Sequence, residues 1–117
     1  MTTDDHKAIA RRLLEELWST DDVGLADELF TANFLHHNAA EGTPRHPEGQ
    51  KQFIPAIPAM APGLWITVDD LIAEGDRVAA RWTGTYTGTD DAPVSYPGVD
   101  IMRFEGGRIA ELWPFVP

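Results

Sequence analysis

Asp100 stands on an apolar strand face. In the run 95 to 105, Tyr96, Gly98, Asp100, Met102 and Phe104 occupy alternate positions, and alternate residues of a strand share one side. A carboxylate in such company loses its hydration. Burial then raises its pKa towards neutrality, where a general acid/base works best. Bonded to Tyr96 or Arg81, the same group would instead be structural. A second set of reactive types is Phe34-Leu35-His36-His37-Asn38. Histidine titrates nearest neutrality and moves a proton in either direction. The Asn38 amide can polarise a carbonyl or hold a water. Neighbours alternate in an extended segment, so only one of His36 and His37 faces inward, and the period does not decide which. Trp18, Phe53, Trp82, Tyr86 and Met102 supply an apolar, aromatic lining. Pockets so lined take flat or polycyclic molecules, although every small domain also needs such residues as its core.

Other chemistries are poorly served. Asp70 is in phase with Ile66, Val68 and Ile72, but a bulge or a solvated edge suits the Asp69-Asp70 pair better than a second inward acid. Arg81 falls on the polar side of its strand, away from the Asp100 face. The spacing of His36, His37 and His46 is not a known ligand pattern, so no metal is expected. There is no cysteine, hence no thiolate chemistry and no cysteine-based zinc site. Glycine-rich phosphate loops, a serine elbow and a dinucleotide fingerprint are absent. No cofactor is expected.

The 117 residues suit one domain, 1–117, and 43% hydrophobic against 24% charged residues is ordinary for a globular chain. A formal net charge of -10 argues against nucleic-acid binding and against docking on anionic lipid. No apolar run approaches the roughly 20 residues of a membrane span. Met1-Thr2-Thr3-Asp4-Asp5 lacks the pattern of a secretory signal. A cytoplasmic location is expected.

The elements that must position these groups follow from spacing. Residues 4 to 19 read as a helix capped by Asp4 or Asp5, with Ile9, Ala10, Leu13, Leu14, Leu17 and Trp18 as its apolar stripe. A shorter helix spans 22 to 30, and 34 to 38 is a short extended piece. A third helix starting near Pro47 is broken by Pro55 and Pro58 and ends before Pro62-Gly63. The period then changes to two, giving strands at 65 to 74, 77 to 88, 95 to 105 and 108 to 116. Along the last, Ile109, Glu111, Trp113 and Phe115 share a face. Helices followed by consecutive strands predict an α+β fold with a curved antiparallel meander.

At four places the chain resembles the SnoaL-like branch of the NTF2-like superfamily, which includes polyketide cyclases. Leu17-Trp18 ends the first helix before an acidic turn. Phe34-Leu35-His36-His37-Asn38 is similar to the family's aromatic-x-x-His-Asn segment. Pro62-Gly63-Leu64-Trp65-Ile66-Thr67-Val68 leads into the first long strand, and residues 99 to 113 look like the final hairpin. The resemblance implies a cone: N-terminal helices packed on a curved antiparallel sheet. It also implies a pocket that takes a small apolar or aromatic molecule, and an activity without cofactor that cyclises or isomerises a carbonyl compound. It makes His37 the inward histidine and Asp100 its partner, with Asn38 beside them. Relatives often carry Trp-Asp on the last strand where this chain has Trp113-Pro114, so that carboxylate has no counterpart here. A ligand-binding module without catalysis and an epoxide-opening hydrolase are the alternatives. A two-fold homodimer is expected through the outer sheet face, with Thr83, Thr85, Thr87, Val99, Ile101 and Trp113 or Leu112.

Overall fold

The structure, a computed structural model, describes residues 1–18, 24–37 and 54–116. Helix α1 spans Thr3–Arg12. Its cap is Thr2, not Asp4 or Asp5: the Thr2 hydroxyl accepts from the Asp5 N–H, and the Asp5 carboxylate accepts from the Thr2 N–H at 2.9 Å. This reciprocal box satisfies two orphan donors. The helix does not run on unbroken to residue 19. Leu13–Leu17 form a π turn, closed by the Trp18 N–H on the Leu13 carbonyl. Leu13, Leu14 and Leu17 of this turn are all buried. Helix α2, Gly24–Leu29, ends one residue sooner than the expected 30, because Phe30 already belongs to strand β1, Phe30–His36. Residues Ile54–Ala56 form a 3-10 turn, followed by a single helical turn α3, Ile57–Met60, with a proline in its first turn.

Strands β2 (Trp65–Glu74), β3 (Arg77–Thr87), β4 (Pro93–Glu105) and β5 (Arg108–Phe115) form the antiparallel meander. Gly106 and Gly107, both at positive φ, make the tight β4–β5 turn. The sheet order is β1-β5-β4-β3-β2, and β1 lies parallel to β5. The sheet is therefore mixed, and the segment expected to be a short extended piece is the end of a full edge strand. Phe30, expected at the end of the second helix, stacks on Phe34 at 4.0 Å along β1, and both are buried.

Two bulges within the meander reset the side-chain phase. Asp69 is the extra residue between the pairs Val68↔Trp82 and Asp70↔Arg81. Ile66 and Val68 therefore point inward before it, while Asp70 and Ile72 point out after it, and Ile72 is 65% exposed. Ala110 is the extra residue between Phe104↔Ile109 and Arg103↔Glu111. Ile109 and Leu112 are buried, whereas Glu111 and Trp113 share the outer face, so the expected common face of Ile109 and Glu111 does not exist. The helices cover the inner face: Ala10, Leu13, Leu14 and Leu17 join Val68, Val78, Ala80, Trp82, Met102 and Leu112 in one core. Glu15 ties helix to sheet by accepting from the Val68 N–H at 3.2 Å.

Where β3 meets β4, Trp82 faces Gly98 and Gly84 faces Tyr96. A Cβ at Gly98 would lie 2.2 Å from Cζ2 of Trp82, and one at Gly84 would lie 2.7 Å from Cζ of Tyr96. Each strand thus lends a glycine as the bed for the other's ring. Gly98→Ala is expected to lower stability by about 1–3 kcal/mol, the usual cost of overpacking. Urea unfolding monitored by tryptophan fluorescence would check this; an unchanged midpoint would mean that the ring moves freely.

Candidate active site

Asp100 lies on the inner face, between Ala80 on β3 and Pro114 on β5. Only 3% of its surface is exposed. Among the described residues its hydrogen bond comes from the Trp82 indole, Nε1 to Oδ1 at 3.2 Å. Neither Tyr96 nor Arg81, the expected structural partners, supplies it. Burial pushes the Asp100 carboxyl up to about 7, against the opposing pull of the indole N–H. The β3–β4 ladder explains the encounter: Trp82 and Asp100 sit on one face, one diagonal apart, and the absent Cβ of Gly98 lets the ring lie across. Tyr96 meets Trp82 edge-on at 5.6 Å and Tyr86 at 5.9 Å. Both tyrosines are half-buried, and the Tyr96 phenol is raised by burial and then by Tyr86. The result is an aromatic wall leading to a carboxyl poised near neutrality.

The other expected site residues divide. Met102 has no exposed surface and is core, as Leu112 opposite it is. Trp18 is partly buried against the core. Asn38, His46 and Phe53 lie outside the described residues. His37 is not beside Asp100. Residues paired across a ladder share a face, so Leu35 and Glu111 point outward, while His36 and Leu112 point inward. His37 follows outward: its ring stacks on Trp113 at 4.7 Å, with Nε2 3.5 Å from Glu111 Oε1 but without a hydrogen bond. Arg77 lies over the same indole at 5.4 Å. Arg103 donates to Glu111 at 2.8 Å and holds its carboxyl below the usual range. The expected His37–Asp100 pair is therefore split by the sheet. His36, which the resemblance left facing outward, is instead buried on the inner face.

Arg81 also lies outside. Its side chain is 60% exposed, 3.9 Å from Asp69. Arg81 is therefore not the enclosed arginine that epoxide opening would need. Among the described residues no group of three or more His, Asp or Glu is placed to hold a metal ion, and no helix is long and apolar enough to cross a membrane.

Two features of this site were overlooked in the sequence. Trp82 acts as a donor as well as a wall, and Tyr96 belongs to that wall. Their signal is the matching aromatic-x-glycine spacing of Trp82-Thr83-Gly84 and Tyr96-Pro97-Gly98, which antiparallel pairing makes reciprocal.

A sequence model of the SnoaL-like domain matches residues 10–112. The chain belongs to the SnoaL-like family. Among solved structures, a polyketide cyclase candidate from Bacillus cereus superposes with a TM-score of 0.87 at 27% identity, over 96% of this chain and 74% of that one. IdmH from Streptomyces antibioticus, another cyclase candidate, gives a TM-score of 0.77 at 26% identity, over 93% of this chain and 89% of that one. An NTF2-like protein of unknown function from Cytophaga hutchinsonii gives 0.78 at 17% identity over 100% of both chains, a likeness of fold alone. No curated protein sequence matches. In the SnoaL-like frame the α+β reading holds, with helices on a curved five-stranded sheet.

The Asp100 environment has a consequence for stability. A carboxyl raised from 3.8 to about 7 binds a proton in the folded state that the unfolded state has already released. Its contribution is most favourable below the unfolded value and is lost as pH rises through the folded one. Asn cannot ionise. Asp100→Asn is therefore expected to gain on wild type between about pH 4 and 7, reaching a few kcal/mol, and to level off above. Urea midpoints of both proteins from pH 4 to 8.5 measure the difference; a pH-independent gap would refute the buried-acid account.

Proposed function

We propose that this SnoaL-like domain is a cofactor-independent enzyme that cyclises or isomerises a carbonyl-containing apolar or aromatic small molecule, with Asp100 as its acid/base. The observation that carries the reading is one buried carboxyl near neutrality at the end of an aromatic wall. Ionised, Asp100 takes a proton from the carbon beside the substrate carbonyl; the C–H electron pair moves into the enolate. The half-buried Tyr96 hydroxyl is the proposed donor to the enolate oxygen, with Asn38 as a further contact carried by the family resemblance. Asp100 then returns the proton to the product. Trp18, Tyr86 and Phe53 are the proposed substrate contacts. The Bacillus cereus and Streptomyces antibioticus relatives, both cyclase candidates above 25% identity, support the same class.

Deuterium exchange at the α-carbon of aromatic β-diketones, followed by proton NMR in heavy water, tests this without knowing the natural substrate. Asp100→Asn should slow exchange by about 10²–10⁴-fold. Pro114 opposite Asp100, where relatives often carry an acid, favours the second reading: a module that binds such molecules without turning them over. In that case wild type and Asp100→Asn would bind the diketone alike and neither would exchange it above background.

A cytoplasmic location suits the cysteine-free chain. We also propose a homodimer through the outer face. Ile72, Ala79, Ile101 and Trp113 are paired in one row across β2, β3, β4 and β5, beside exposed Val99 and Phe115. Such a band left in water is unusual for a monomer. Light scattering at micromolar concentration should give twice the chain mass, and Ile101→Asp should give the chain mass; a monomeric wild type would end this part of the proposal.

A further inference from the structure

We infer that Trp82 is a positioning residue that decides which oxygen of Asp100 exchanges the proton: Oδ1 is held by the indole N–H, and Oδ2 takes up and releases the proton. Its use in turnover rests on the acid/base reading above; the geometry does not.

An indole N–H donates and cannot accept. At 3.2 Å from Oδ1, with both groups buried, it prefers the better acceptor oxygen. In the ionised carboxylate Oδ1 is thereby satisfied and Oδ2 remains basic. In the neutral acid Oδ1 is the carbonyl oxygen and Oδ2 carries the hydrogen. The ring cannot rotate away easily. It lies close against the Gly98 backbone, where a Cβ would sit 2.2 Å from Cζ2, and Tyr96 abuts the indole edge-on while lying on Gly84. Backbone neighbours offer no rival side-chain donor, since Ala80 and Pro114 flank Asp100 on the adjacent strands.

Titratable groups elsewhere on this side of the sheet are few among the described residues. Tyr86 and Tyr96 lie on β3 and β4, and His36 on β1. The inner residues of β2 are Ile66, Val68, Leu71 and Ala73. From the helix, His6 stacks on Phe104 at 4.4 Å and Glu15 accepts from the Val68 N–H. The indole is thus the group in contact with Asp100 that both orients it and favours its charged form. Trp82 was expected to line a pocket by area alone; its position assigns it a directional task as well.

The test is spectroscopic and needs no substrate. In a nitrogen-labelled protein, the indole resonance that disappears in Trp82→Phe should move with pH at the same midpoint as the Asp100 carboxyl carbon. In Asp100→Asn it should stay still. Replacing Trp82 by benzothienylalanine keeps the ring shape and removes the N–H. That variant should raise the Asp100 midpoint by about one pH unit while leaving the backbone spectrum near wild type. An indole resonance indifferent to the Asp100 titration, or an Asp100 midpoint unmoved by benzothienylalanine, would overturn the inference. Should Trp82→Phe not fold, the wild-type and Asp100→Asn titrations decide it alone. These outcomes are separate from the α-exchange assay: the indole can follow Asp100 in a protein that turns nothing over.

Discussion

Two rings lie on two glycines across β3 and β4, and the site depends on that fit. Trp82 rests over Gly98 and Tyr96 over Gly84, each at the position directly opposite in the ladder. A β-carbon at either glycine would lift a ring off the sheet. With both rings seated close to the sheet, the inner face gains an aromatic wall, and the Trp82 N–H reaches Asp100. The helices then close over this floor through Leu13, Leu14 and Leu17, which the π turn presents together.

Keeping a carboxyl in that setting has a cost, because dehydration disfavours its charged form. The chain offsets this only in part, through one neutral donor and no adjacent cation among the described residues. A structural aspartate would be better served by an arginine, and Arg81 and Arg103 are both spent on the outer face, against Asp69 and Glu111. Residues that cost stability where they stand are common at functional sites. That contrast between a poorly paired inner acid and well paired outer ones is the physical basis for reading the inner face as the working side.

The outer face is organised differently. His37, Trp113 and Arg77 form a stack, and Glu111, Arg103 and Glu105 a chain of charge pairs. The histidine that matches the family segment belongs to this ordered surface. His36, its neighbour, goes into the core side by the simple alternation of a strand. The sheet thus separates two neighbouring imidazoles into two environments.

Much was legible in the chain. Local periods marked the first helix, all four strands of the meander and the shared face of Tyr96, Gly98, Asp100, Met102 and Phe104, because side-chain alternation is a property of each strand alone. Those runs also carried the family resemblance, and with it the fold. What tertiary structure decided was phase and partnership. The doubled acid already pointed to a bulge or solvated edge at Asp69-Asp70, and strand pairing put the extra residue at Asp69 and turned Asp70 outward; the bulge at Ala110, which parted Ile109 from Glu111, had no such sign, because a bulge exists only relative to its neighbour. The parallel pairing of β1 with β5 placed His36 inside and His37 outside, a choice set by contacts some 75 residues apart in the chain. The donor to Asp100 was likewise settled by the β3–β4 register, since Trp82 and Asp100 meet only when these two consecutive strands align in that phase.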